Sequence, residues 1–123
     1  MSNRVLIVDD QLIARMMIKE AATDAGWEVA GEAADGEDAI IQYQQLAPDL
    51  VTMDMVMPKM DGLQALERIL QLDPQARIIM ISAINQKPQL TKAIELGAAD
   101  FIVKPFDRDR LVAALSGMLP AAG

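Results

Sequence analysis

The side chains able to do chemistry in this 123-residue chain make a short list. Cysteine and histidine are both absent, which removes disulfides, thiol nucleophiles, Ser-His-Asp triads and the usual zinc sites together. Carboxylates, lysines and hydroxyls remain. That set suits a hard, oxygen-seeking cation such as Mg²⁺ and the phosphoryl groups such an ion neutralises. Three aspartates stand out by position. Asp9 and Asp10 directly follow the apolar run Val5-Leu6-Ile7-Val8, and Asp54 directly follows Leu50-Val51-Thr52-Met53. Ser82 ends the apolar run that starts at Ile78, and Lys104 follows Phe101-Ile102-Val103. Should these runs be neighbouring strands, three carboxylates, a hydroxyl and an ammonium meet at one rim of a sheet. Like charges so close repel and push at least one pKa upward, unless a divalent cation or a lysine compensates.

The elements that must position these groups follow from the hydrophobic pattern. Val5 to Val8, Leu50 to Met53, Ile78 to Ile81 and Phe101 to Val103 read as buried parallel strands. Glu28 to Ala33 partly alternates polar and apolar residues, as expected of a strand nearer the sheet edge, and Asp35-Gly36 closes it with a turn signal. Between the strands, Leu63, Leu66, Ile69 and Leu70 share one helical face, as do Leu90, Ala93, Ile94 and Gly97, and Leu111, Ala114, Leu115 and Met118. Ile13, Met16 and Met17 mark an earlier helix, and Ala39, Ile40, Tyr43 and Leu46 another. Strand and helix alternate five times, which implies right-handed crossovers. The expected fold class is α/β: a doubly wound, five-stranded parallel sheet with helices on both faces, read as one domain over residues 1–123. In such sheets ligands bind beyond the carboxyl ends of the strands, which is where the aspartates fall.

Composition narrows the partners. With 52% hydrophobic and 24% charged residues, the chain sits near the globular norm, so disorder and low complexity are excluded. A net charge of -7 opposes any broad grip on nucleic acid or anionic lipid. The first residues lack a signal-peptide pattern, and no apolar run approaches membrane-spanning length, so a cytoplasmic location is expected.

The motifs together resemble one family. Val8-Asp9-Asp10, Met53-Asp54 with Met57-Pro58 and Asp61-Gly62 after it, Ser82-Ala83 and Lys104-Pro105-Phe106 are similar to the response-regulator receiver family, over nearly the whole chain. The single-domain chemotaxis subgroup is the nearest in pattern. The resemblance implies a flavodoxin-like strand order of 2-1-3-4-5. It implies Asp54 as phosphoacceptor, with Mg²⁺ held directly by Asp10 and Asp54 and by the backbone carbonyl of Val56, and by Asp9 through water. Lys104 would offset phosphoryl charge, and Ser82 would grip the group. Ser82 and Phe101 would form the switch, read by partners on the face of the fourth helix, fifth strand and fifth helix. A sensor histidine kinase is the implied donor, since this chain has no histidine, and a flagellar switch protein is the implied target of a monomeric messenger. The chain is then a signalling phosphoacceptor, not a turnover enzyme.

Four positions depart from the family pattern. Ser82 replaces the commoner threonine, keeping the hydroxyl, and Phe101 replaces a frequent tyrosine, losing a phenol that partners could bond. Val56 and Ile84 stand where the family lines the route of attacking water; neither can orient it, so slow self-dephosphorylation is expected. Other readings stay open at this stage. A phosphorelay carrier would pass its phosphoryl group to a histidine phosphotransfer protein. An Asp54-based Mg²⁺ phosphatase would need a cap insertion that the chain lacks, and a receiver-like module that never accepts phosphate would not need the full acidic set. Individually, Asp10 and Asp61 can be helix caps. The methionines near the site, Met53, Met55, Met57 and Met60, read as packing, because thioethers are poor partners for a carboxylate site. Trp27 reads as either packing or a contact surface.

Overall fold

The computed structural model describes residues 3–83 and 85–119. Strands and helices alternate in the order β1 (Arg4–Val8), α1 (Leu12–Asp24), β2 (Glu28–Ala33), α2 (Gly36–Leu46), β3 (Leu50–Asp54), α3 (Gly62–Leu72), β4 (Ile78–Ala83), α4 (Lys87–Leu96), β5 (Asp100–Lys104) and α5 (Arg108–Gly117). All strands are parallel, in the order β2-β1-β3-β4-β5. This is the doubly wound fold expected from the alternation, with the strand order that the resemblance implied. β2 lies at the sheet edge, as its mixed pattern indicated.

The near-continuous apolar runs of β1, β3 and β4 reflect burial on both faces. Leu6, Val8, Val51, Met53, Ile78 and Met80 join residues of α2, α3 and α4 in one apolar layer. Val5, Ile7, Leu50, Ile79, Ile81 and Ile102 join residues of α1 and α5 in the other. In α3, Leu66 and Ile69 are buried while Leu63 and Leu70 pack partly buried against the same layer, and in α5 Leu111, Ala114 and Leu115 are buried.

Three elements depart from the sequence pattern. In α1 the residues that mark the helix point outward: Ile13 is 73% exposed, Met16 57% and Met17 41%. Its buried face is Ala14, Ile18, Ala21 and Ala22, spaced at helical intervals and small enough for the helix to lie close to the sheet. Ile94 of α4 is likewise exposed, while Leu90 and Ala93 are buried. Phe101 is 37% exposed, so β5 is not a fully buried strand; it pairs with β4 alone and forms the second edge.

Local polar chemistry fixes the helix starts. Asp35 accepts from the Asp38 N–H, and Asp107 from the Arg110 N–H. Asp61 and Gln64 form a reciprocal capping box on α3. Asp10 is not a cap, since the N-cap of α1 is Gln11, which makes no side-chain cap bond. Trp27 is packing: it is 3% exposed, and its indole N–H donates to the Leu115 carbonyl at 2.8 Å. Gly97 closes α4 with φ +120°.

Ala47 ends α2 in the left-handed conformation, φ 46°, which costs a residue with a Cβ roughly 1–2 kcal/mol and glycine almost nothing. Part of that gain is offset by the larger unfolded-state entropy of glycine. Ala47→Gly is therefore expected to stabilise the fold by about 0.5–1 kcal/mol, seen as a higher midpoint in urea unfolding with an unchanged slope.

Candidate functional site

The sheet order makes β1 and β3 neighbours, with Val8 opposite Met53. The residues that follow, Asp9 and Asp10 on one strand and Asp54 on the other, are thereby brought to the same rim. One carboxylate oxygen from each of Asp9, Asp10 and Asp54 lies within 4.8 Å of the others. Asp9 and Asp54 are buried and Asp10 is exposed. Lys104, at the end of β5, reaches across the top of β4. Its Nζ lies 3.2 Å from Asp9 Oδ2 and 3.4 Å from Asp54 Oδ1. The structure thus brings these four groups together at one rim.

The electrostatics follow from that crowding. Burial, then the neighbouring Asp9 charge, push the Asp54 carboxyl up to about 6 from its usual 3.8; Lys104 opposes the rise and Asp10 adds a smaller push. Burial alone would lower the Lys104 ammonium, but the Asp54 and Asp9 carboxylates outweigh it and raise its pKa. Lys104 thus remains a cation while offsetting only part of the negative charge.

The two carboxylates of β1 are not equivalent. Asp9 is committed to the protein on both oxygens: Oδ1 accepts from the Gln11 N–H at 2.9 Å, and Oδ2 faces Lys104. Asp10 faces solvent. The trio can hold a metal ion, with Asp10 and Asp54 the members most available to bind it directly. The chemistry of the donor set, all carboxylate oxygen, fits a hard divalent cation.

Ser82 is 1% exposed, and its Oγ has no hydrogen-bond partner among the described residues. A buried hydroxyl left in that state costs roughly 1–3 kcal/mol. Together with Ala83, Lys87, Leu90, Phe101 and Val103 it lines a cleft between β4, β5 and α4. Val56, two residues past Asp54, is 58% exposed. Ile84, the other position tied to hydrolysis, lies outside the described residues.

Two residues hold the site in roles that the sequence pattern did not assign. Gly62 donates its N–H to the Met55 carbonyl at 2.9 Å, and a Cβ built on it would lie 2.0 Å from the Asp54 carbonyl oxygen. Only glycine lets α3 start this close to the end of β3. Its signal was the Asp61-Gly62 pair, which by itself reads as a cap and a turn. Arg15 donates from its guanidinium to the Asp9 carbonyl at 2.6 Å and pairs with Glu32 at 3.2 Å, clamping the turn that carries Asp9 and Asp10. A lone arginine on a helix carries no such signal.

Comparison with known proteins agrees with this geometry. The model of the response regulator receiver domain matches residues 5–116, and the chain belongs to that family. The chemotaxis protein CheY of Thermotoga maritima is 52% identical, over 94% of this chain and 97% of that protein. CheY of Bacillus subtilis is 51% identical, over 97% of this chain and 99% of that protein. The crystal structure of the CheX-CheY-BeF₃-Mg²⁺ complex from Borrelia burgdorferi superposes with a TM-score of 0.88 at 38% identity, covering 95% of this chain and 90% of that one. No helix among the described residues is long and apolar enough to cross a membrane.

The raised Asp54 pKa makes a signed prediction for the metal-free protein. Well below its unfolded value of 3.8 the carboxyl is neutral in both folded and unfolded chains and contributes nothing. Between its unfolded value of 3.8 and its folded value of about 6, ionisation increasingly favours the unfolded chain, and above that range the cost is complete. Asp54→Asn should therefore stabilise the metal-free protein by about 1–2 kcal/mol at pH 7.5, after allowance for screening at the rim, and by little at pH 4. Urea unfolding in chelator at the two pH values measures the difference.

Proposed function

We propose that this chain is a phosphorylation-activated switch of a two-component system, with Asp54 accepting a phosphoryl group from a histidine kinase in the cytoplasm, where ATP-derived phosphoryl groups are available. The observation that carries the reading is the Asp9, Asp10 and Asp54 cluster with Lys104 bonded across it. Family membership and the chemotaxis relatives at 51 and 52% identity support it.

In the proposed reaction an Asp54 carboxylate oxygen attacks phosphorus in line. The new O–P bond forms as the N–P bond of a partner's phosphohistidine breaks, and the imidazole leaves with the electron pair. Lys104, already bonded to Asp54 Oδ1, offsets charge on the transferred group, and the buried Ser82 hydroxyl supplies a hydrogen bond to a phosphoryl oxygen. Asp10 and Asp54, with the Val56 backbone carbonyl, would hold Mg²⁺ directly, and Asp9 would assist through water. Bound there, Mg²⁺ neutralises the crowded carboxylates and the incoming phosphoryl oxygens. The presence of Mg²⁺ in the Borrelia burgdorferi complex supports that choice of ion.

Phosphorylation replaces the single Asp54 carboxylate charge with about two on the phosphoryl group and sets new acceptor oxygens beside β4. Ser82 moving toward them vacates part of the cleft that Phe101 also lines, so the ring gains room to turn inward. The face of α4, β5 and α5 then presents the changed surface. We assign its target to the flagellar motor switch, on the strength of the chemotaxis relatives. The chain acts as a monomeric phosphoacceptor, not a turnover enzyme.

Intact mass after incubation with a small acyl phosphate tests the reading. The parent should gain one phosphoryl group only with Mg²⁺ present, and Asp54→Asn should gain none. An unmodified parent under both conditions, or an Asp54→Asn variant that is modified equally, would overturn it.

A further inference from the structure

Beside Asp54 stands a backbone donor whose partner is a side chain. In a parallel sheet the N–H and C=O of one residue point to the same neighbouring strand, and the direction alternates along the chain. The Met55 N–H donates to the Ile81 carbonyl at 2.8 Å, so Ile81 turns its backbone toward β3. Ala83, two residues on, turns its N–H the same way. There β3 has ended, and the carbonyl that would continue the ladder, on Met55, accepts from Gly62 instead. The Ala83 N–H thus opens over the end of β3 beside Asp54, and Ala83 sits in register with Lys104 on β5. Its acceptor is the Gln86 side-chain carbonyl, Oε1, at 2.7 Å.

Gln86 is also where α4 begins. It is the N-cap residue of that helix. Its own N–H donates to the Ala83 carbonyl at 3.0 Å, and its carbonyl accepts from the Leu90 N–H at 3.0 Å. Side chain and main chain of Gln86 together close the turn between β4 and α4 onto a single residue, Ala83.

We propose that the Gln86 side chain is an internal substitute for a phosphoryl oxygen. Its Oε1 holds the Ala83 N–H in the resting protein and is displaced when a phosphoryl group on Asp54 takes that donor. The inference rests on Asp54 being the phosphoacceptor, as proposed above. The exchange runs forward because a hydrogen bond to an anionic oxygen is roughly twice as strong as one to a neutral amide. Its consequence is mechanical. The side chain that yields belongs to the residue from which α4 starts, so charge arriving at Asp54 loosens the turn that sets the helix. This route to α4 is separate from the movement of Ser82 and Phe101. Gln86 is a positioning residue: it acts on the site through the Ala83 amide.

The test uses beryllium fluoride with Mg²⁺ as the phosphoryl analogue, titrated into the parent, Gln86→Ala, Gln86→Glu and Asp54→Asn, with the Ala83 amide followed by ¹⁵N NMR. Removing the competing acceptor in Gln86→Ala should tighten analogue binding about 2- to 10-fold, the range set by one neutral hydrogen bond. An anionic competitor in Gln86→Glu should weaken binding several-fold. The resting Ala83 resonance should move in Gln86→Ala, and the bound-state resonances of parent and Gln86→Ala should converge. If the parent binds while Gln86→Ala binds no tighter and its resting Ala83 resonance is unmoved, the Gln86 role is overturned and the phosphoacceptor reading stands. If the parent binds no analogue, or Asp54→Asn binds it equally well, the phosphoacceptor reading falls and this inference falls with it.

Discussion

Three carboxylates crowd into one partly dry corner, and the surrounding structure is arranged to tolerate them. Placing β1 beside β3 puts Asp9, Asp10 and Asp54 within reach of a single ion. The apolar layers below the rim deny Asp9 and Asp54 bulk water, while Asp10 stays exposed. Such a cluster is unfavourable in isolation, because burial and mutual repulsion both disfavour the charged forms. One lysine relieves only part of this, which is why Asp54 stays shifted upward even with Lys104 beside it. The unrelieved charge is the physical basis for the proposed cation.

Holding that corner open requires precise backbone placement at several points. Arg15 clamps the turn that bears Asp9 and Asp10. Gly62 lets α3 begin against the Asp54 carbonyl, and the Asp61 and Gln64 capping box fixes where that helix starts. Gln86 closes the turn after β4. The carboxyl ends of β1, β3 and β4 are thus each held by a different local device, while the sheet below supplies stability through burial. The division separates the two demands: apolar layers stabilise the fold, and the rim of the sheet holds underpartnered groups such as the Ser82 hydroxyl near the end of β4.

Much of this was legible in the residues. The runs of β1, β3 and β4 are buried on both faces, the length and position of all four runs match strands to within a residue or two, and the polar residue at each end marked the rim. Strand order was not derivable from pattern; it came with the family resemblance. The inward face of α1 was not legible because it is mostly alanine, which carries little hydrophobic signal, whereas the conspicuous Ile13, Met16 and Met17 that mark the helix face outward. β5 was read as fully buried because its apolar run resembles those of β1, β3 and β4, and edge position depends on pairing that no local pattern records. The supporting roles of Gly62, Arg15 and Gln86 depend on tertiary approach, so composition and spacing could not announce them.

The central claim is that the carboxylate cluster is built to receive a divalent cation. Calorimetric titration of metal-stripped protein with Mg²⁺ at neutral pH, on the parent and on Asp10→Asn and Asp54→Asn, tests it most directly. Saturable binding by the parent that is weakened at least tenfold in each variant is the predicted result. Binding of equal strength in all three, or none in the parent at millimolar Mg²⁺, would contradict the account.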